Sequence, residues 1–258
     1  MNYLVFHLVF LVPPLLLLLL RRRGRGRVHP REALLLGAIA AVALVYTTPW
    51  DNYLVWSGVW SYGQDRVLGT IGYVPVEEYL FFLLQPLLAG LWLYEVLATA
   101  PPGSPGAAPM RRDARARVGG TLVYAATAAA GVVLLQRGGD AGTYLGLILA
   151  WAAPVLTLQW VYAGPLIWHQ RRALLLGVAV PTIYLCVADA VAIHLGIWTI
   201  SEHHTLGAAF GPLPLEEAVF FLVTNLLVVQ GLLLFLGSPG PVSDGATRSG
   251  AVAREAAV

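Results

Sequence analysis

PVEEYLFF, Pro75 to Phe82, returns as PLEEAVFF, Pro214 to Phe221. Each copy sets a proline and two adjacent glutamates at the mouth of a long apolar run. Taken once, the pattern is an ordinary helix start, since proline suits the first turn and each acid beside the positive end of the helix dipole gains ~0.3 to 1 kcal/mol. Here it occurs twice, each time followed one turn on by Phe-Phe, in a chain with only 12% charged residues. Ionisable groups this close to hydrocarbon are functional candidates. The two copies read as paired halves of one site inside a membrane protein.

Composition supports that setting. Of 258 residues, 58% are hydrophobic, and the charged share falls well below the roughly one quarter usual in globular domains. A single cysteine, Cys186, excludes an internal disulfide and any cysteine-rich metal or iron-sulfur site. All 16 basic residues are arginine. Without lysine there is no Schiff-base chemistry, which excludes a retinal photoreceptor.

Seven crossings are expected from apolar runs of the length a bilayer needs. They are Asn2 to Leu20, Ala33 to Thr48 closing at Pro49, Pro75 to Leu97, Val118 to Gln136, Thr143 to Tyr162 interrupted by Pro154, Ala173 to Leu195 with Pro181 inside, and Pro214 to Leu236. The charge of the first run follows its apolar core, unlike a signal peptide, so a retained helix is expected. The loop from Thr48 to Val74 is rich in aromatic residues suited to a membrane interface. A Pro/Gly- and Arg-rich linker follows the third helix, and the tail after residue 237 reads as disordered. The loops predicted on one side, together with the tail, hold all the arginines except Arg66 and Arg137. The positive-inside rule then predicts an outer N-terminus, a cytoplasmic tail, and both Pro-x-Glu-Glu mouths opening outward.

Writing the halves over each other extends the repeat. Tyr3-Leu4 and Pro13 meet Tyr144-Leu145 and Pro154, Asp51 meets Asp189, and Gly58-Val-Trp60 meets Gly196-Ile-Trp198. The expected organisation is a first three-helix repeat over 1–97, a linker and connecting helix over 98–142, a second repeat over 143–237 and a tail over 238–258. An odd-numbered unit can recur in the same orientation only with one extra crossing between copies, so the repeats are predicted to be parallel. The fold class expected is therefore all-α, polytopic, with about seven transmembrane helices.

Successive helical residues diverge by about 100°, so both glutamates of a pair cannot aim at one point. Glu78 shares a face with Phe82 and Gln85, and Glu217 with Phe221, Thr224 and, slightly rotated, Asn225, which leaves Glu77 and Glu216 nearer a side. Asp51 alone reads as a helix-end or turn residue beside Pro49, whereas Asp189 sits among apolar neighbours; their equivalence makes both candidates. His194, His203 and His204 lack metal-ligand spacing and have no counterparts in the first half, so no metal site is expected. Trp60 and Trp198 are interface anchors by default, yet aromatic faces also steady a cation in a dry cavity.

TPWDNYLVWSGVW, VPVEEYLFF, GIWTI and LPLEEAVFFLVTNLLVVQG resemble the two halves of the membrane-integral carotenoid lycopene cyclases. The resemblance covers nearly the whole chain apart from linker and tail, and it is that of a form with both halves fused. It implies proton-initiated, non-redox closure of the ends of lycopene to β-ionone rings. The family keeps Glu at the first acidic position and tolerates Asp at the second, which favours Glu77 and Glu216 over the wheel-based choice, so all four stay candidates. Protonating an alkene needs a carboxylic acid kept neutral, which burial favours. One glutamate is expected to act as acid and its partner as base. Phe81, Phe82, Phe220 and Phe221, with Trp60 and Trp198, would shield the cation, and Gln85, Thr224 and Asn225 would line the substrate. Loss of ring formation on replacing Glu77 or Glu216 by Gln is the expected outcome. No cofactor is expected, because no GxGxxG strand-turn-helix is visible. The expected partners are a lipid-soluble carotenoid and membrane lipid, with no nucleic acid. Alternatives are a hydratase or prenyl transferase acting on carotenoid ends, the latter disfavoured by the lack of clustered aspartates, and a proton-coupled transporter.

Overall fold

In a computed structural model, residues 1–24, 29–99 and 114–236 are described. Seven helices among them are long and apolar enough to cross a membrane. They are α1 (Tyr3–Gly24), α2 (Pro30–Trp56), α3 (Val76–Ala98), α4 (Ala114–Arg137), α5 (Thr143–His169), α6 (Arg171–His194) and α7 (Leu215–Leu236). The chain is thus an all-α polytopic membrane protein. The predicted tail and most of the Pro/Gly-rich linker fall outside the described residues.

The α3 and α7 helices form the centre. Their most apolar windows are 56% and 61% buried, against 6% for α4. Each carries one Glu pair in its first turn. Around them, α3 packs on α1, α2 and α6, while α7 packs on α2, α5 and α6. Deep between α3 and α7, the Gln85 amide donates to Asn225 Oδ1 (2.8 Å), and Asn225 donates onward to Thr182 (3.0 Å). The α4 helix lies on α5, where Gly131 permits close approach: a Cβ there would stand 2.6 Å from the Ala150 nitrogen.

Two helix boundaries differ from the sequence reading. The α2 helix does not close at Pro49 but runs on to Trp56, carrying Asp51 and Leu54 on its buried face. A proline inside a helix removes one hydrogen bond and costs about 3 kcal/mol; in a bundle, packing around the inward side chains and local hydroxyl bonds offset this. Thr48 Oγ1, for example, donates to the Leu44 carbonyl at 2.6 Å. Likewise α5 passes through Pro154 unbroken and bends at Ala163 (φ −145°, ψ 33°), two residues before Pro165.

The segments between helices at the Glu end are ordered by short strands. β1 (Trp60–Tyr62) pairs antiparallel with β4 (Trp198–Ile200), with Ser61 opposite Thr199 at its middle. β2 (Thr70–Ile71) and β3 (Val74–Pro75) make one hairpin, and β5 (Ala209–Phe210) and β6 (Leu213–Pro214) another. Each hairpin turns on a glycine with positive φ, Gly72 at 66° and Gly211 at 63°, a conformation that L side chains disfavour.

Candidate active site

Each hairpin leads directly into a Glu pair, and within each pair the two glutamates divide. Glu77 Oε1 accepts the Leu68 backbone N–H at 2.9 Å, and Glu216 Oε1 accepts that of Leu206 at 2.7 Å. These carboxylates hold the segment before each hairpin down on the first helical turn. One residue on, a rotation of about 100° turns Glu78 and Glu217 into the bundle. Glu78 accepts the Tyr62 hydroxyl at 3.0 Å and lies within hydrogen-bonding reach of Tyr3. Glu217 accepts the Tyr144 hydroxyl at 2.6 Å.

Asp51 and Asp189 join the inner acids from α2 and α6. Asp189 Oδ1 accepts the Trp198 indole N–H at 2.8 Å, whereas Oδ2 of both aspartates is buried without a partner. All six acids of the sequence reading are no more than 3% exposed. Glu78, Asp51, Asp189 and Glu217 stand close enough that charge on one acts on the others. None of the ion pairs formed among the described residues involves them. Burial pushes the Tyr62 hydroxyl well above the usual tyrosine range. It therefore stays a proton-bearing donor to Glu78 at neutral pH.

A small cavity opens among these groups. Asp51, Glu78 and Asp189 reach its wall, and the rest of the wall is apolar or aromatic: Phe81, Phe82, Phe220 and Phe221 from the two Phe-Phe pairs, Trp60, Trp198, Tyr3, Phe6 and Leu185. Carboxyl groups facing aromatic walls suit proton exchange with a hydrocarbon and stabilisation of a carbocation. Phe81 and Phe221 meet edge to face at 6.3 Å.

Not every residue singled out from the sequence reaches this space. Glu77 and Glu216 bind backbone instead, and Glu217 stands behind the wall on Tyr144. Gln85 and Asn225 bond to each other deeper in the bundle, and Thr224 turns its hydroxyl to the Phe220 carbonyl of its own helix at 2.9 Å. His203 forms an exposed pair with Asp140 at 2.9 Å, away from the cavity.

Sequence reasoning missed the tyrosines. Tyr3 and Tyr144 were matched in the repeat as alignment markers, and that match was the available signal: a polar aromatic kept at the same place in both apolar first helices. Tyr62 was legible only as an interface anchor. Phe6 and His7 carried no signal in the second half, where Leu147 and Ile148 stand in their register.

Comparison with known proteins bears on this arrangement. The lycopene cyclase family model matches residues 2–97 and 142–235. Lycopene beta-cyclase of Halobacterium salinarum is 44% identical over 234 residues, covering 91% of this chain and 95% of the relative. The bifunctional lycopene cyclase/phytoene synthase of Podospora anserina is 36% identical over 242 residues, spanning 91% of this chain but 40% of that longer protein. The Aspergillus niger protein of the same name is 36% identical over 204 residues, 76% of this chain and 34% of the relative. No solved structure matches the chain.

Proposed function

Since the chain belongs to the lycopene cyclase family and cyclises lycopene, a lipid-soluble carotenoid, we propose that Glu78 delivers the proton that starts ring closure. The observation that carries this is its position: of the four glutamates only Glu78 faces the cavity, hydrogen-bonded from Tyr62 and surrounded by aromatic rings. The proton adds to the terminal double bond of the polyene and leaves a tertiary cation. The electron pair of the next double bond attacks that cation, forming the ring bond and moving the positive charge into the new ring. Loss of a neighbouring proton to Asp51 or Asp189, whose Oδ2 atoms are unpartnered, gives the β-ring double bond. One proton enters and one leaves, so no electron carrier takes part.

The aromatic wall favours the charge-bearing species over the neutral polyene, the differential binding that lowers a barrier. Trp198 orients Asp189 through its indole N–H. Glu217 with Tyr144 supports the site from behind, and Glu77 and Glu216 position it by fixing the two hairpins. Gln85, Thr224 and Asn225 act in helix packing.

We also propose two parallel three-helix units, over 1–97 and 143–237, related by an approximate two-fold axis along the membrane normal. Support comes from the β1–β4 pairing, which is symmetric about Ser61 and Thr199, and from the matched bonds of Glu77 with Glu216 and of Tyr3/Glu78 with Tyr144/Glu217. Arginine placement favours an outer N-terminus and a cytoplasmic tail.

Expression in a lycopene-accumulating bacterium tests the mechanism by colour and pigment chromatography. The wild type turns red cells orange or yellow. Glu78→Gln should leave them red with the protein still in the membrane, and normal ring formation by that variant would remove Glu78 as the donor.

A further inference from the structure

The two halves meet along two lateral seams near the cavity. Between α2 and α5 the Tyr46 hydroxyl donates to the Trp151 carbonyl, and between α6 and α1 the Tyr184 hydroxyl donates to the Phe10 carbonyl, both at 2.8 Å. The seams correspond in sequence register, but they are filled differently. In the α2–α5 seam Trp50 stacks on Trp151 (4.6 Å, 18°) and on Phe220 (5.6 Å, 8°), with Tyr46 stacked outside Trp151 at 5.2 Å. This column of rings runs from the membrane face to the cavity wall. In the α1–α6 seam the residue in Trp50's register is Ala188.

The cavity follows that difference. It is lined by Tyr3 and Phe6 of α1 and by Leu185 and Asp189 of α6, but by no residue of α5. At the same seam α1 is wound as a π-helix over His7–Leu11, a form that recurs at functional sites. Its His7 ring stacks on Tyr3 at 4.7 Å and Phe81 at 6.3 Å, with both nitrogens buried and unpartnered. Tyr3, His7 and Phe81 thus form a run of stacked rings beside the cavity.

Resting on the lycopene cyclase reading, we propose that the polyene of lycopene reaches into the bilayer between α1 and α6, beside Ala188, while Trp50 and Trp151 close the opposite seam. A linear polyene far longer than the cavity must leave it sideways into lipid, and only one seam lacks the stacked tryptophan. Each end that is cyclised therefore enters by the same path.

Tyr184 and Tyr46 make a matched pair of probes, since both lie outside the cavity and are 37% and 38% exposed. A photoreactive benzoylphenylalanine is placed at either position, and membranes of the lycopene-accumulating strain are irradiated. Mass spectrometry should find a carotenoid adduct at position 184 and none at 46. An adduct at 46, or at neither position, overturns the proposal. Ala188→Trp, copying the closed seam, should cut ring formation by roughly a hundredfold, the scale set by misplacing a reactant, and should remove the adduct at 184. Unchanged turnover and adduct in the inserted variant would also overturn it, and if this variant fails to insert, the crosslinking pair decides alone. Absence of rings with the wild type would sink the parent reading, whereas rings without an adduct at 184 sink only this one.

Discussion

Glu77 and Glu78 are neighbours in sequence with opposite environments, one bonded to a backbone N–H and the other facing an aromatic cavity. Their substitutions should separate accordingly. Glu78→Gln keeps the size and most hydrogen bonds of the side chain but has no proton to give, so ring formation should fall by about 10² to 10⁴, the range for a general acid. Glu77→Gln should retain part of the activity and lower the thermal midpoint in detergent, because the amide oxygen can still accept the Leu68 N–H while its NH2 replaces the buried, unpartnered Oε2 and is itself left without a partner. Complete loss of activity in Glu77→Gln, with normal stability, would shift the donor role to it. Tyr62→Phe removes a donor to Glu78 while sparing the ring; pigment chromatography should show slowed but continuing cyclisation. Since Tyr62 titrates well above the usual tyrosine range, deprotonation of its hydroxyl should not appear in the activity profile between pH 6 and 9, taken as roughly the range below an ordinary tyrosine pKa.

Among the elements, the α3–α7 pair depends on a buried polar bond where most neighbouring contacts are apolar. Gln85→Leu strands Asn225 Oδ1, and Asn225→Leu strands the Gln85 amide, while Thr182 keeps its hydroxyl bond to the Phe221 carbonyl. Either single change should cost about 1 to 3 kcal/mol, the penalty for an unsatisfied buried group. The double variant should recover part of that loss, and strictly additive losses in a detergent unfolding series would show that the two residues do not act as a pair. At the hairpins, Gly72 has φ 66° and the Asn52 carboxamide oxygen beside it, bonded to the Tyr73 N–H at 2.9 Å. Gly72→Ala should therefore loosen the first hairpin and lower activity more than stability. Equal losses in both would mean that the hairpin does not bear on the site.

At the scale of the whole molecule, lateral access and sidedness are joined. In the orientation proposed from arginine placement, the hairpins and the acid cluster would lie toward the outer leaflet. A reporter that is active only in the cytoplasm should work when fused after residue 236 and stay silent when fused at the N-terminus; the reverse pattern would invert the arrangement. The α2–α5 seam, filled by stacked tryptophans, and the α1–α6 seam, which has Ala188 in Trp50's register, also break the symmetry that the duplicated sequence implies. On the access route proposed above, a site assembled from two similar halves has one way in.

Composition and apolar run lengths were enough to establish a polytopic helical membrane protein, because a chain crossing hydrocarbon must satisfy its backbone within each helix. The repeated Pro-x-Glu-Glu and the paired aspartates marked the acids in advance, since charge among apolar residues is conspicuous in one dimension. What sequence alone left open was the direction of each side chain. Asp51 looked like a turn residue because proline is a local stop signal, and only packing across the bundle carries α2 through Pro49 to Trp56. The division of labour within each Glu pair comes from the folded segments before each hairpin, nine or ten residues upstream, whereas the Gln85–Asn225 bond and the unequal seams arise from contacts more than a hundred positions apart. The latter contacts exist only once the two halves have folded against each other.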